Sequence, residues 1–236
     1  MRSIRTVGVA LVAALVLVAV SSASAAQPVF YTKAAVGTVA PPVSFTGTLG
    51  AAFLEGKAGT KITCKAGTAT GEVTGETTGE NGKTTFTGCE SSGFPCENAG
   101  AGVIETKVLK GSLGNVVAAK TPGLRLYPQV GGRGASLAEF SCASGAIAVN
   151  VKGSVIGSLT GASGKSPAEG KFAASATLAF AESKGIQKYT KFVAGEGEGG
   201  EEQLEASIGG AGYEKSGQSV NAKLVSVPAS NLGYTL

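Results

Sequence analysis

From Ser44 onward, apolar and polar side chains alternate with a period of two, the spacing of strands that bury one face. In residues 171–180, Phe172, Ala174, Ala176, Leu178 and Phe180 fall on one face and Lys171, Ala173, Ser175, Thr177 and Ala179 on the other. A helical period does not give that separation. A longer run places Ile147, Val149, Val151, Gly153, Val155, Gly157 and Leu159 on one face, with Ala146, Asn150, Lys152, Ser154 and Ser158 mostly opposite. The two glycines within its apolar face predict a bulge or a close approach of backbone. Shorter runs cover residues 45–53, 61–73, 83–89, 103–109, 124–127, 137–142, 203–208 and 219–227, about ten strands in all.

Between these runs lie Glu80-Asn81-Gly82-Lys83, Val130-Gly131-Gly132-Arg133-Gly134, Gly161-Ala162-Ser163-Gly164-Lys165-Ser166-Pro167 and the glycine-rich stretch 195–200. They supply the positive-φ residues that hairpins need. Many short strands with such turns predict an all-β, antiparallel fold, a β-sandwich of jelly-roll-like or barrel-like form. The nearest candidate for a helix, residues 179–188, is broken by Gly185. No strict repeat points to a solenoid or propeller.

The N-terminus adds an address. Arg2 and Arg5 precede an apolar run over residues 7–20 and a small-residue stretch over 21–26, the layout of a secretory signal peptide cleaved after Ala25. The run is shorter than the roughly 20 residues a membrane span needs. The expected organisation is a signal peptide at 1–25, a lead-in at 26–43 whose Phe30 and Tyr31 are available to dock on the body, and one β domain at 44–236. The mature protein is expected to be secreted or extracellular, free or associated with the cell surface, with no membrane insertion after cleavage.

Composition then narrows the chemistry. All 16 acidic residues are Glu, and His, Asp and Trp are absent. That excludes a Ser-His-Asp triad, a histidine metal site, an Asp-based phosphoryl site and an EF-hand. Losing Arg2 and Arg5 with the signal peptide lowers the formal charge from +4 to +2, which leaves nucleic acid without an electrostatic case. Four cysteines in an exported chain predict two disulfides with three possible connectivities. Cys89 and Cys96 flank a loop holding Gly93 and Pro95, while Cys64 and Cys142 lie within strand-like runs. That placement favours Cys89 with Cys96 and Cys64 with Cys142. A CxxC redox or zinc site lacks both spacing and histidines.

Several constellations imitate functional motifs. Gly195-Glu196-Gly197-Glu198-Gly199-Gly200 matches G-x-G-x-x-G, but Glu196, Glu198, Glu201 and Glu202 repel a pyrophosphate and no βαβ unit surrounds it. It reads as a solvated hairpin loop, with a weak divalent-cation site on those four glutamates as the alternative. Residues 159–166 approximate a P-loop but begin with Leu159 and end before Pro167, and read as a turn. Glu105, Glu139 and Glu205 are the strand-borne carboxylates from which a glycosidase pair would be drawn. Glu139 shares a face with Ser141, opposite Ala138, Phe140 and Cys142, and is expected to face solvent. Tyr127, Tyr189 and Tyr213 lie at strand ends or in loops, as caps on the core edge or as a shallow carbohydrate surface. A Ser nucleophile with a Lys base has no spacing that singles out a pair. No cofactor is expected.

Phe45-Thr46-Gly47-Thr48-Leu49, Ile62-Thr63-Cys64, Gly71-Glu72-Val73-Thr74-Gly75, Phe86-Thr87-Gly88-Cys89-Glu90, Ala138-Glu139-Phe140-Ser141-Cys142 and the patch from Val151 to Gly157 resemble a family of uncharacterised secreted, glycine-rich, four-cysteine β proteins of actinobacteria. Phe180-Ala181-Glu182-Ser183 and Gly185-Ile186-Gln187-Lys188-Tyr189-Thr190 extend the resemblance. It implies export and a shared β architecture, with no activity, cofactor or partner to carry over. The expected role is that of an exported non-catalytic structural or binding protein. The alternatives are a Glu-dependent enzyme acting on extracellular polysaccharide and a self-assembling homo-oligomer built through edge strands.

Overall fold

The computed structural model describes residues 27–32, 42–117, 121–161, 163–164, 175–194, 201–228 and 232–235. Residues 1–25, expected as a signal peptide, the glycine-rich stretch 195–200 and residues 165–174 lie outside them. Within the described residues the regular structure is strand, apart from one 3-10 turn at Gly132–Gly134. The chain begins with β1 (Phe30–Thr32), runs through β2 (Val43–Leu49) into β3 (Ala52–Gly56), and returns through β4 (Lys61–Cys64) into β5 (Ala66–Val73). It then follows β6 (Thr78–Thr87), β7 (Glu90–Ser91), β8 (Phe94–Glu97), β9 (Val103–Glu105), β10 (Leu109–Val116), β11 (Thr121–Pro128) and β12 (Ser136–Cys142). β13 (Ile147–Gly153) continues into β14 (Val155–Thr160), followed by β15 (Ser163–Gly164), β16 (Ala176–Phe180), β17 (Glu182–Ser183), β18 (Ile186–Gln187) and β19 (Phe192–Val193). β20 (Leu204–Ile208), the long β21 (Glu214–Val227) and β22 (Leu232–Thr235) complete it.

Eight strands close a ring in which every neighbouring pair is antiparallel: β2, β5, β6, β10, β11, β14, β16 and the C-terminal half of β21. A second circuit closes through β3, β4, β7, β8, β12, β13, β20 and the N-terminal half of β21. Because β2 leads into β3, β4 into β5, β6 into β7 and β13 into β14, while β21 serves both circuits, the two are storeys of one barrel. The all-β antiparallel architecture expected from the two-residue period is therefore present as a closed barrel, which pairs the strand edges that an open sheet exposes.

The runs read from the sequence break where a strand passes from one storey to the other. The stave 147–160 is divided at Ser154, and Gly153 takes a φ of 100° there, with its missing Cβ pointed at the Gln203 carbonyl. This is the close backbone approach that its place on an apolar face foretold. Gly71 serves another purpose. A Cβ there would meet Phe45 Cζ at 2.6 Å, so the bare backbone lets the Phe45 ring lie against the wall. Val43, Leu49, Val73, Leu113, Leu159, Leu178, Val220 and Ala222 are buried within, while Ser44, Thr46, Thr48, Thr68, Asn221 and Lys223 are exposed outside. That polarity is the reverse of a barrel in lipid.

Glu80-Asn81-Gly82-Lys83, expected as a turn, lies within β6. Thr70 pairs with Lys83 but Glu72 with Glu80, and Leu109 pairs with Gly82 but Gly111 with Gly79. β6 thus spends one residue more than either neighbour, a bulge carried by Asn81 at a φ of 54°. Residues 179–188 end β16 and form the β17–β18 hairpin, turned by Lys184 and Gly185 at φ 53° and 69°.

The disulfides correct the expected pairing: Cys64 is bonded to Cys89 and Cys96 to Cys142. Register explains why. Thr63 pairs with Glu90, Glu90 with Pro95, and Cys96 with Cys142, so Cys64, Cys89, Cys96 and Cys142 stand in one row across β4, the β6–β7 junction, β8 and β12. Cys64 and Cys142 are the ends of that row, about three strand spacings or ~14 Å apart along the wall. A bridge needs Cα atoms within about 7 Å.

At the far end of the first storey the termini meet. β1 pairs antiparallel with β22, and β15 joins β22 in parallel. Phe30, Tyr31 and Tyr234 are buried there, so the segment expected as a lead-in supplies a cap for the barrel mouth. Burial pushes the Tyr234 phenol up to about 12 against a hydrogen bond with Ser163.

Candidate binding site

The inward side chains do not fill the barrel. A cavity of about 160 Å³ lies among residues that include Phe45, Leu49, Leu124, Val155, Phe180 and Leu224. Ala52 and Leu204 of the second storey also line it, so it spans the junction of the two circuits. Eight-stranded barrels have room for side chains or for one small ligand. Here the space exists because Ala52, Ala69, Ala138 and Ala222 stand where larger residues would close it. A second cavity of about 70 Å³ lies under the cap, beside Phe30, Leu159 and Tyr234.

Three kinds of polar group reach the main cavity: a glutamine on β21, the charged residues of the β6 bulge, and the threonines Thr84 and Thr106, of which Thr106 Oγ1 accepts from the Thr84 N–H. On β21, Ser216, Val220 and Ala222 are buried on the inward face, and Gln218 shares their phase and lines the cavity. Its register partner is Leu54, which lines the cavity as well. Gln218 has no side-chain hydrogen bond among the described residues. The second group belongs to the β6 bulge, where Glu80 and Lys83 contribute to the lining. Their charges are already matched: Glu80 is 3.0 Å from Lys110 Nζ, and Lys83 Nζ is 2.6 Å from Glu105. The hydrogen bond with Glu80 raises the pKa of Lys110, and the hydrogen bond with Lys83 lowers that of Glu105.

Outside the barrel, Phe192 of β19 and Glu202, just before β20, lie against the wall and bury a second polar cluster. Arg125 projects outward from β11, and Glu202 precedes β20. They are 4% and 5% exposed, with Arg125 Nη1 2.9 Å from Glu202 Oε1. Arg133 Nη1 reaches the same oxygen at 2.7 Å, and the Ser154 hydroxyl donates to Oε2. The Phe192 ring lies 5.2 Å from the Arg125 guanidinium and packs with Val116 and Ile156. Burial opposes the Glu202 charge, but the bonds from Ser154 and Arg133 and the attraction of both arginines outweigh it and hold the carboxyl below its ordinary pKa. Glu202, read as part of a solvated acidic loop, is thus a buried ion-pair partner. Its neighbour Glu201 is exposed, and Glu196 and Glu198 lie outside the described residues.

The three strand glutamates each meet a lysine: Glu105 meets Lys83, Glu139 meets Lys107 at 3.6 Å, and Glu205 meets Lys152 at 3.2 Å. Glu105 and Glu139 lie on adjoining segments, since Asn98 Nδ2 donates to both of their backbone carbonyls. Glu205 sits apart, opposite Lys152 in the β13–β20 ladder. Glu139 is exposed, as its strand phase implied. Tyr127 and Tyr189 flank the Arg125–Phe192 cluster, and exposed Tyr213 stacks under Lys152 Nζ at 3.8 Å.

Gln218 and the Arg125–Glu202 pair were not singled out by sequence. Gln218 shares the phase of Val220, Ala222 and Leu224, but it precedes the run 219–227 read from the sequence, and its earlier in-phase neighbours Ser216 and Glu214 are polar. Arg125 had no such signal, because its burial comes from a segment far along the chain. Among the described residues, no cluster of three or more His, Cys, Asp or Glu is placed to hold a metal ion. No protein-family model, curated protein or solved structure matches the chain.

Proposed function

We propose that this is an exported, non-catalytic binding protein of the cell surface or extracellular space, and that its ligand occupies the barrel interior. The apolar cavity of about 160 Å³ carries this reading. Export draws support from the signal-like N-terminus and from two disulfides, which persist in oxidising compartments.

The test is a ligand screen by thermal shift, with small apolar molecules and soluble oligosaccharides as separate panels. Stabilisation by the apolar panel, lost on filling the cavity with Ala222→Leu, is the expected result. The competing reading, a glutamate-dependent polysaccharide enzyme, draws on the adjoining Glu105 and Glu139. Glycan cleavage abolished by Glu105→Gln or Glu139→Gln would replace the binding reading with that one.

A further inference from the structure

We infer that the barrel interior selects a small neutral molecule with an apolar body about the size of one ring and a single hydrogen-bonding group, which the Gln218 amide receives. This rests on the reading of the interior as a binding site, and deepens it. Size follows from volume. An apolar cavity of about 150 Å³ holds benzene, and this one, at about 160 Å³, offers similar room. A long acyl chain or a sugar ring with its hydration does not match that space.

Neutrality follows from the charges at the lining. Glu80 and Lys83, the ionisable residues of its lining, are engaged by Lys110 and Glu105. A ligand carboxylate or ammonium would enter an apolar space without a free counter-charge. The hydrogen-bonding group follows from Gln218. Its amide offers donors and an acceptor, lines the cavity between the apolar Leu54 and Val220, and has no side-chain partner among the described residues. A hydroxyl or carbonyl on the ligand would satisfy it. Leucine would fit the same inward position without leaving an amide to satisfy, so the glutamine there carries specificity that packing alone does not need.

The experiment measures the affinities of phenol, toluene and benzoate for the disulfide-bonded protein and for Gln218→Leu and Ala222→Leu. Chemical-shift titration gives the affinities, and circular dichroism checks the fold of each variant. In the parent protein phenol is expected to bind and benzoate to bind at least about tenfold more weakly. In Gln218→Leu the ratio of phenol to toluene affinity is expected to fall about tenfold, the loss of one buried hydrogen bond. In Ala222→Leu both affinities are expected to collapse. An unchanged ratio in Gln218→Leu, with both probes still bound, overturns the role of Gln218 and leaves the binding reading standing. Benzoate binding as tightly as phenol overturns neutrality. If none of the three binds the folded parent protein, or if Ala222→Leu binds them undiminished, the interior is not the binding site and the reading beneath this inference fails.

Discussion

Arg125 Nη1 and Glu202 Oε1 lie 2.9 Å apart, and both side chains are almost wholly withdrawn from solvent. The two residues are 77 apart in the chain and meet because the residues leading into β20 lie against the outer wall at β11. Their pairing ties that segment to the barrel. It also makes Ser154, at the break between β13 and β14, part of the same network through its bond to the other carboxylate oxygen.

Glu202→Gln removes the charge and leaves Arg125 buried beside a neutral amide. The expected cost is about 3 kcal/mol in a urea titration, the range for breaking a buried pair from one side. Replacing both partners together, as Arg125→Met with Glu202→Leu, is expected to cost less than the single change, because no lone charge remains buried. A double variant as unstable as Glu202→Gln would show that packing of the segment, not charge, dominates there.

The same carboxyl makes stability depend on acid. Its folded pKa lies below the unfolded value of about 4.3, so its contribution is fully present above that pH and is lost as pH falls through the folded pKa. The stability difference between the parent protein and Glu202→Gln should therefore hold from pH 7 to about 5 and shrink below about 4. A difference that stays constant down to the lowest pH at which the protein folds would contradict the assignment.

The two disulfides stand at short ladders of the second circuit. The β4–β7 ladder has one register pair and the β8–β12 ladder two, and each is joined covalently by Cys64–Cys89 or Cys96–Cys142. Peptide mapping without reduction should recover those two pairs and no Cys89–Cys96 peptide. Replacing either pair by alanine is expected to cost about 3 to 4 kcal/mol. Amide exchange is expected to rise first in β7 and β8.

Gly153→Ala places a methyl group against the Gln203 carbonyl at a residue with φ 100°. A loss of at least about 2 kcal/mol on chemical denaturation is expected. Gly134→Ala, where nothing lies within 4 Å of the added Cβ, should by comparison be close to neutral.

Alternation along 147–160, 219–227 and 137–142 determined the strands and their inward faces, because a strand carries that information in its own side chains. Absence of His and Asp determined which chemistries were closed, since no fold restores a missing functional group. Glycine and asparagine at residues 80–83 were ambiguous in sequence, because a bulge and a turn ask for the same positive φ; only pairing with β5 and β10 on both sides decided between them. Disulfide pairing was misjudged from local placement, which favoured Cys89 with Cys96, because the row that puts Cys64 beside Cys89 is set by register across four strands. Closure into a barrel, the cavity it leaves around Gln218 and the burial of Arg125 by Glu202 are long-range consequences. They depend on which segments meet, and the local pattern of a chain specifies its faces but not its neighbours.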